Sequence, residues 1–420
     1  MDVTSDPSGP ASLRKLISGY SLAAAGPITV AGANFLLSFS ILRLESAQAF
    51  GSFTFLFVAA AFMISLAGAL FAAPMQALFS ADAAIVAIVL RATTLVMMVI
   101  LPAYVALGLQ FGLTTPAAIS YGVFAALTIL RTVGRAWCYT MERPRRVTLS
   151  DIAYAVATLL IFVGSMAIGH LAPDRAVYPA LMGGTVSASA VLGRDFAVQL
   201  WRARRARLSA YRTIWMGQSR WSLLAVSANE LAANAHIYLL TLFVGTATVA
   251  PVAAGALLLR PVNVVQNALV EFERARMARS LSRGARTEVD RSVRAFRTAV
   301  LLAWLGTIGL AGMLLLFRPE LVIPQHYKHG DVYLATTLWA LVWLVIAIQL
   351  PLNVLLQAAD RFSILSRASV TAAIISVAGV LIAITVGRPI WTIAALIPGW
   401  LVSTAIIRRA VRTMRMPRAG

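Results

Sequence analysis

The sequence predicts an all-α polytopic membrane protein, with about twelve transmembrane helices in two six-helix lobes. Three observations predict it. Of the 420 residues, 60% are hydrophobic and only 12% charged, with a mean hydropathy of +0.81. Soluble domains carry about 25% charged residues, so the chain lacks the charge to cover a water-facing surface of its size. About twelve runs reach the ~20 apolar residues that a helix needs to cross the hydrocarbon core. The basic residues gather between those runs, and one basic cluster sits at the midpoint of the chain.

Residues 1–13 (MDVTSDPSGPASL) are small and polar and read as a disordered cytoplasmic tail. They lack the basic segment and short apolar core of a cleavable signal peptide, so the first span serves as its own insertion signal. Spans follow near 18–42, 50–74, 84–109, 115–135, 151–170 and 177–199, giving an N-terminal lobe over 14–200. A basic connector occupies 201–220. Further spans near 221–244, 248–270, 296–317, 332–357, 364–386 and 390–408 make a C-terminal lobe over 221–408, and 409–420 is a basic tail.

Lysine and arginine set the orientation, because basic loops stay in the cytoplasm. With the N-terminus inside, the cytoplasmic segments hold 29 of these residues and the outer loops 5: Arg43, Arg175, Arg318, Lys328 and Arg388. The remaining two, Arg91 and Arg260, fall within spans. The bias places both termini in the cytoplasm. Arginine far outnumbers lysine, a composition that suits a GC-rich bacterium.

The net charge of +20 is therefore topological and does not point to nucleic acid. Cys138 is the single cysteine, so no internal disulfide forms. No phosphate loop, catalytic triad or Cys/His cluster appears, and no cofactor or metal is expected. The outer-loop HYKHGD (326–331) resembles a metal site only superficially. The longest outer loop, near 318–331, leaves little room for the catalytic loop of a polytopic glycosyltransferase or polysaccharide polymerase.

In the connector, WRARRARLSAYRTIWMGQSRW (201–221), Leu208, Tyr211, Ile214 and Trp215 share one helical face and arginines fill much of the rest. The pattern suits a helix lying on anionic inner-leaflet lipid, or else a plain solvated linker. The halves echo each other weakly. ANFLLSFSILRLESAQAFG starts at Ala33 and ANAHIYLLTLFVGTATVAP at Ala233. Six spans per half put both repeats the same way round, and a site between such halves is a recurring transporter plan. The second basic loop, 272–297, reads differently: Glu288/Arg291 and Asp290/Arg294 are spaced as ordinary solvated helix pairs.

One stretch carries polar chemistry into the membrane. In AGALLLRPVNVVQNALVEF (253–271), Arg260 lies near mid-span, followed by Pro261, Asn263, Gln266 and Asn267. An arginine there costs about 2.5–3.5 kcal/mol on insertion scales, which a partner or a wet cavity must offset. The preceding span contains Asn229, Glu230, Asn234 and His236. Glu230 and Arg260 are equidistant from the turn at Gly245, so a regular hairpin brings them to one depth. They are either a buried neutralising pair or groups lining a hydrated path; the surplus of uncharged polar residues favours the path. Pro261 lacks a backbone donor and is expected to kink its span. Asn34 in span 1, and Gln349, Asn353 and Gln357 in span 10, add further intramembrane polar groups, the last three at four-residue spacing on one stripe. Arg91, one turn inside the cytoplasmic end of span 3, is expected to snorkel.

The first hairpin supports a family resemblance. NFLLSFSILRLESAQAFGSFTFLFVAAAFMISLAGALFAAPM resembles the opening of the polysaccharide (Wzx-type) flippases of the multidrug/oligosaccharidyl-lipid/polysaccharide (MOP) exporter superfamily. Their first outer turn often reads Arg-x-Leu-Gly-Pro-x-x-Phe-Gly. Arg43, Phe50 and Gly51 match it in spacing, while Glu45, Ser46 and Ala47 stand where the family has Leu-Gly-Pro. The resemblance implies a MOP/MATE-like fold: two helical lobes around a central cavity that opens alternately to each side. It further implies a cargo of polyprenyl-diphosphate-linked oligosaccharide, moved across the inner membrane for exopolysaccharide, capsule or O-antigen. Glycosyltransferases and a polymerase would be its functional associates.

Three functions compete. A flippase for an anionic lipid-linked oligosaccharide leads, with Arg260, Glu230, Asn34, Asn229, Asn234, Asn263, Asn267, Gln349 and Asn353 as the expected cavity residues. A cation-coupled multidrug (MATE-type) exporter would favour intramembrane carboxylates, and only Glu230 lies deep. A membrane glycosyltransferase or polymerase finds no catalytic loop. The expectation is a transporter, not an enzyme.

Overall fold

The computed structural model describes residues 10–78, 83–325, 327–359 and 361–414. Every regular element among them is helical. The N-terminal half contains α1 (Pro10–Leu44) and α2 (Ala47–Ala67), the latter continuing through a π turn at Gly68–Ala72 into α3 (Ala73–Leu78). It then runs through α4 (Ala83–Gln110), α5 (Thr115–Thr140), α6 (Pro144–Ala167), α7 (Pro173–Val191) and α8 (Arg194–Arg202). After α9 (Tyr211–Ile214) come α10 (Arg220–Phe243), α11 (Thr246–Leu258) and α12 (Arg260–Ser282). The chain ends with α13 (Arg286–Phe317), α14 (Pro319–Val322), α15 (His329–Ala358), α16 (Phe362–Thr385) and α17 (Leu396–Thr413).

Among the described residues, nine helices are long and apolar enough to cross a membrane, or eleven when two bent pairs each count as one span. The bent pairs are α7 with α8 (91°) and α11 with α12 (54°). The span expected over 221–244 coincides with α10, whose 24 residues have the needed length while Asn229, Glu230, Asn234 and His236 dilute its hydropathy. Span 6 ends at Val191, earlier than expected, because Gly193 adopts φ +95° and turns α8 across the end of α7. Helix also begins earlier than the expected tail allows: α1 starts at Pro10, and residues 1–9 lie outside the described residues, as do 415–420.

In the N-terminal half α6 packs on α7 and α1, and α5 on α4 and α7; in the C-terminal half α10 packs on α16, α16 on α17, and α13 on α12 and α15. Small residues let α10 and α16 approach, with Ala228 and Ala232 buried against Ala372 and Ala373. Hydroxyls inside the membrane need internal partners. Tyr104 and Tyr121 therefore donate to the α2 carbonyls of Ala59 and Leu56, each at 2.7 Å.

The halves meet chiefly where α2 lies along α11. A Cβ on Gly51 would stand 1.9 Å from the Thr246 carbonyl oxygen, so only glycine permits this approach. Arg43 donates to the Glu320 carbonyl at the same end of the bundle, and Asp174 N–H donates to Glu45 at 3.3 Å. At the opposite end the connector is no single interfacial helix. It breaks into 3-10 turns at Ala203–Arg205 and Leu208–Ala210, then α9 and a π turn at Trp215–Ser219. Nor does Arg91 snorkel: it donates to the carbonyls of Arg204 and Ala206, binding the connector to α4.

Candidate functional site

The site begins with a break. Leu259 leaves helical geometry (φ −99°, ψ 4°), and α12 restarts with Arg260 and Pro261 in its first turn. Proline is tolerated there because the first N–H groups of a helix have no intrahelical acceptor. The expected kink is thus a full interruption. It sets the half-buried Arg260 side chain toward the other half of the molecule, where it donates to the Asn34 carbonyl oxygen at 3.3 Å and to Ser38 Oγ at 3.2 Å. Its guanidinium carbon stands 5.7 Å from the Phe57 ring centroid.

Glu230 does not meet Arg260. It accepts from Asn234 Nδ2 at 2.6 Å and from the Tyr238 hydroxyl at 3.2 Å, along one stripe of α10. The Tyr238 ring stands 6.1 Å from Phe55, edge to face. Successive helical residues turn by ~100°, so Phe55 and Phe57 address nearly opposite faces of α2. Glu230 and Arg260 therefore lie on different sides of that helix, and the 54° break removes the regular hairpin that would have paired them. Among the described residues no carboxylate forms an ion pair with Arg260.

Asn34 is brought to Arg260 through its backbone, while its side-chain oxygen accepts from the Tyr154 hydroxyl at 3.0 Å. Ser38 also donates to the Asn34 carbonyl, at 2.7 Å. Asn263 is half-buried one turn along α12 and Asn229 is exposed on α10. Gln266 is 3% exposed; Asn267 lies on α12 with its side chain outside the described residues. Gln349 is occupied elsewhere: its amide donates to Ser403 Oγ at 3.0 Å and to Asn353 Oδ1 at 3.4 Å and accepts from Thr404 at 2.9 Å. These bonds join α15 to α17 and leave half-buried Asn353 as the more accessible of the two. His236 is buried edge-on to Trp339.

Tyr154 leads to a charged group between α5 and α6. Arg131 lies 4.3 Å over the Tyr154 ring and 2.7 Å from Asp151, which also binds Arg135. Asp151 is buried, so two guanidiniums on one carboxylate place a net positive charge inside the N-terminal half. The signal was present: Arg131 and Asp151 are equidistant from the turn at Met141–Glu142. A continuous chain of contacts thus runs from Asp151 and Arg131 through Tyr154 and Asn34 to Arg260.

Beside the break, Leu259 helps line a cavity of about 290 Å³ between α13 and α15. The hydroxyls of Tyr333, Thr336 and Thr337 on its wall donate to helix carbonyls, which leaves an apolar surface. Among the described residues no group of three or more His, Cys, Asp or Glu could hold a metal ion; His326 of the 326–331 stretch lies outside them.

No family model and no curated protein matches the sequence. Solved structures match the fold. A lipid II flippase, MurJ, in an inward closed conformation superposes with a TM-score of 0.67 at 8% identity, over 94% of this chain and 88% of that one. A Vibrio cholerae MATE transporter gives 0.64 at 14% identity, covering 96% and 98%. A MOP superfamily transporter from Pyrococcus furiosus, described as having a binding pocket of reverse polarity, gives 0.62 at 14% identity, covering 94% and 95%. The chain has the all-helical membrane fold that these lipid II flippase and MATE structures share.

Proposed function

We propose that the protein is a flippase that moves polyprenyl-diphosphate-linked oligosaccharide across the bacterial inner membrane for surface polysaccharide assembly, by alternating access between lobes 14–200 and 221–408. In this reading both termini are cytoplasmic, glycosyltransferases build the cargo and a polymerase consumes it. The observation that carries the proposal is Arg260: a guanidinium at a helix break in the membrane, turned toward the opposite half and, among the described residues, in ion-pair contact with no carboxylate. A diphosphate cannot cross hydrocarbon bare, and arginine is suited to meet it through paired, charge-assisted hydrogen bonds. The cationic Arg131–Asp151–Arg135 group adds to the same sign of potential, and the apolar cavity beside Leu259 supplies a surface for hydrocarbon.

The test is Arg260→Ala, with Arg260→Lys as the charge-retaining control, in proteoliposomes containing a fluorescent undecaprenyl-diphosphate-linked sugar. The alanine variant should insert normally and lose most flipping, and lysine should retain part of it. Equal flipping by wild type and the alanine variant would remove Arg260 from the mechanism.

A cation-coupled drug exporter is the second reading. The Glu230–Asn234–Tyr238 stripe favours it, because a membrane carboxylate held by neighbouring donors is the group a cationic compound would seek.

A further inference from the structure

The two cytoplasm-side basic segments differ in kind. The loop 272–297 carries eight arginines together with Glu273, Glu288 and Asp290, and Glu273 pairs with Arg276 at 3.5 Å. The connector 201–221 carries six arginines, three tryptophans and no acidic residue. Arg202, Arg204, Arg205, Arg207 and Arg212 are exposed, and Trp201 and Trp221 are 65% and 58% exposed. Arg204 stacks 3.7 Å over Trp201, and Arg220 stands 4.8 Å over Trp221.

Its placement is also specific. The 91° bend after α7 turns α8 across the spanning direction, so the connector starts along the membrane plane. Arg91 fixes it to α4 through the carbonyls of Arg204 and Ala206. Further on, Tyr211 and Ser219 donate to the Leu70 carbonyl, at 2.7 and 3.2 Å, inside the π turn of α2. Four residues on from Leu70 stands Pro74, which has no N–H to give that carbonyl, and the connector supplies the donors instead. Helix α2 in turn carries Gly51 against α11 and Phe57 beneath Arg260.

We propose that the connector is a binding site for anionic phospholipid headgroups, and that lipid held there fixes the connector against the π turn of α2. Tryptophan seats at the headgroup level, where one side of the ring is wet and the other apolar. The unopposed arginines supply charge complementarity that the mixed-charge 272–297 loop lacks. A second helical layer of protein does not suit this surface, because its charge is spread over exposed turns with no continuous apolar face.

The experiment compares full-length protein in nanodiscs of phosphatidylcholine alone with discs that also contain phosphatidylglycerol. Native mass spectrometry reads retained lipid, and thermal unfolding reads the effect on the protein. Wild type should retain phosphatidylglycerol preferentially and melt higher in its presence. Each basic side chain near an anionic surface contributes about fivefold in affinity, so Arg205→Gln/Arg207→Gln should weaken retention by at least about tenfold. Arg202→Gln/Arg204→Gln/Arg205→Gln/Arg207→Gln should abolish both the preference and the stabilisation. The exposed-arginine control Arg283→Gln/Arg291→Gln/Arg294→Gln should leave both intact. Equal retention of the two lipids by wild type, or equal losses in connector and control variants, would overturn the proposal. No cargo enters this measurement, so its outcome is independent of the flippase reading.

Discussion

Gly51 and Thr246 bring the two halves of the molecule into backbone contact: a Cβ on Gly51 would lie 1.9 Å from the Thr246 carbonyl oxygen and 2.7 Å from its carbonyl carbon. The contact lies at the end of the bundle where Arg43 reaches Glu320 and Asp174 reaches Glu45. A backbone atom cannot step aside as a flexible side chain can. Gly51→Val should therefore push α2 from α11 at that end while leaving each helix intact. Spin labels on exposed Gln48 and Ala247, flanking the contact, should report a longer distance in the variant. An unchanged distance would mean that the contact does not hold this end closed.

Asp151 is 1% exposed at its side chain and neutralises one of two arginines that are themselves largely withdrawn from water, Arg131 at 12% and Arg135 at 26%. Removing one partner of a buried pair is costly because the remaining charge keeps its desolvation penalty without its compensation; the loss is about 3–5 kcal/mol. Asp151→Ala should thus lower the melting temperature in detergent more than any single arginine-to-glutamine change in the exposed 272–297 loop. Replacing Arg131, Arg135 and Asp151 together with leucine should recover most of the loss. Failure of the triple variant to recover stability would assign the group a role beyond charge balance.

The helical fold was legible because burial in a bilayer demands long apolar runs, and the two halves of the chain announced theirs in that way. The helix ends were less legible: α13 extends ten residues before its expected start, since amphipathic helix can leave the membrane without changing period. At the site, Arg260 and its proline-linked break were readable from residue type alone. Its partners were not. Hairpin arithmetic assumes an unbroken helix and no third helix between the arms, and α11–α12 violates the first condition while α2 violates the second. The same arithmetic holds for Arg131 and Asp151, whose α5–α6 hairpin is regular. Polarity in a span is visible in sequence and makes Gln349 a cavity candidate, whereas its donation to Ser403 and its acceptance from Thr404 depend on the packing of α17.

Glu230 distinguishes the two transport readings. Its Oε1 accepts from Asn234 and Tyr238, and glutamine retains an oxygen at that place, so Glu230→Gln should preserve folding. An anionic cargo gains nothing from this carboxylate, and flipping of the lipid-linked sugar by the variant should stay within about threefold of wild type. Efflux of ethidium from loaded vesicles measures the alternative. Ethidium export by wild type and its loss in Glu230→Gln would favour a cationic cargo over the diphosphate.

Glu45, in the turn between α1 and α2, has its carboxyl raised above the ordinary range, chiefly by burial and further by the nearby Asp174, with Asp174 N–H and Arg175 pulling the other way. A carboxyl whose folded value is raised binds its proton more tightly in the folded state than in the unfolded one. Its contribution is therefore most favourable below the unfolded value, near 4, and is lost as pH rises through the folded value. Glu45→Gln removes that loss while retaining an oxygen to accept from Asp174. Melting temperatures of wild type and Glu45→Gln should be close at pH 4, and the variant should gain relative to wild type as pH approaches 7. A constant difference across that range would show that burial of the carboxylate carries no cost in this turn.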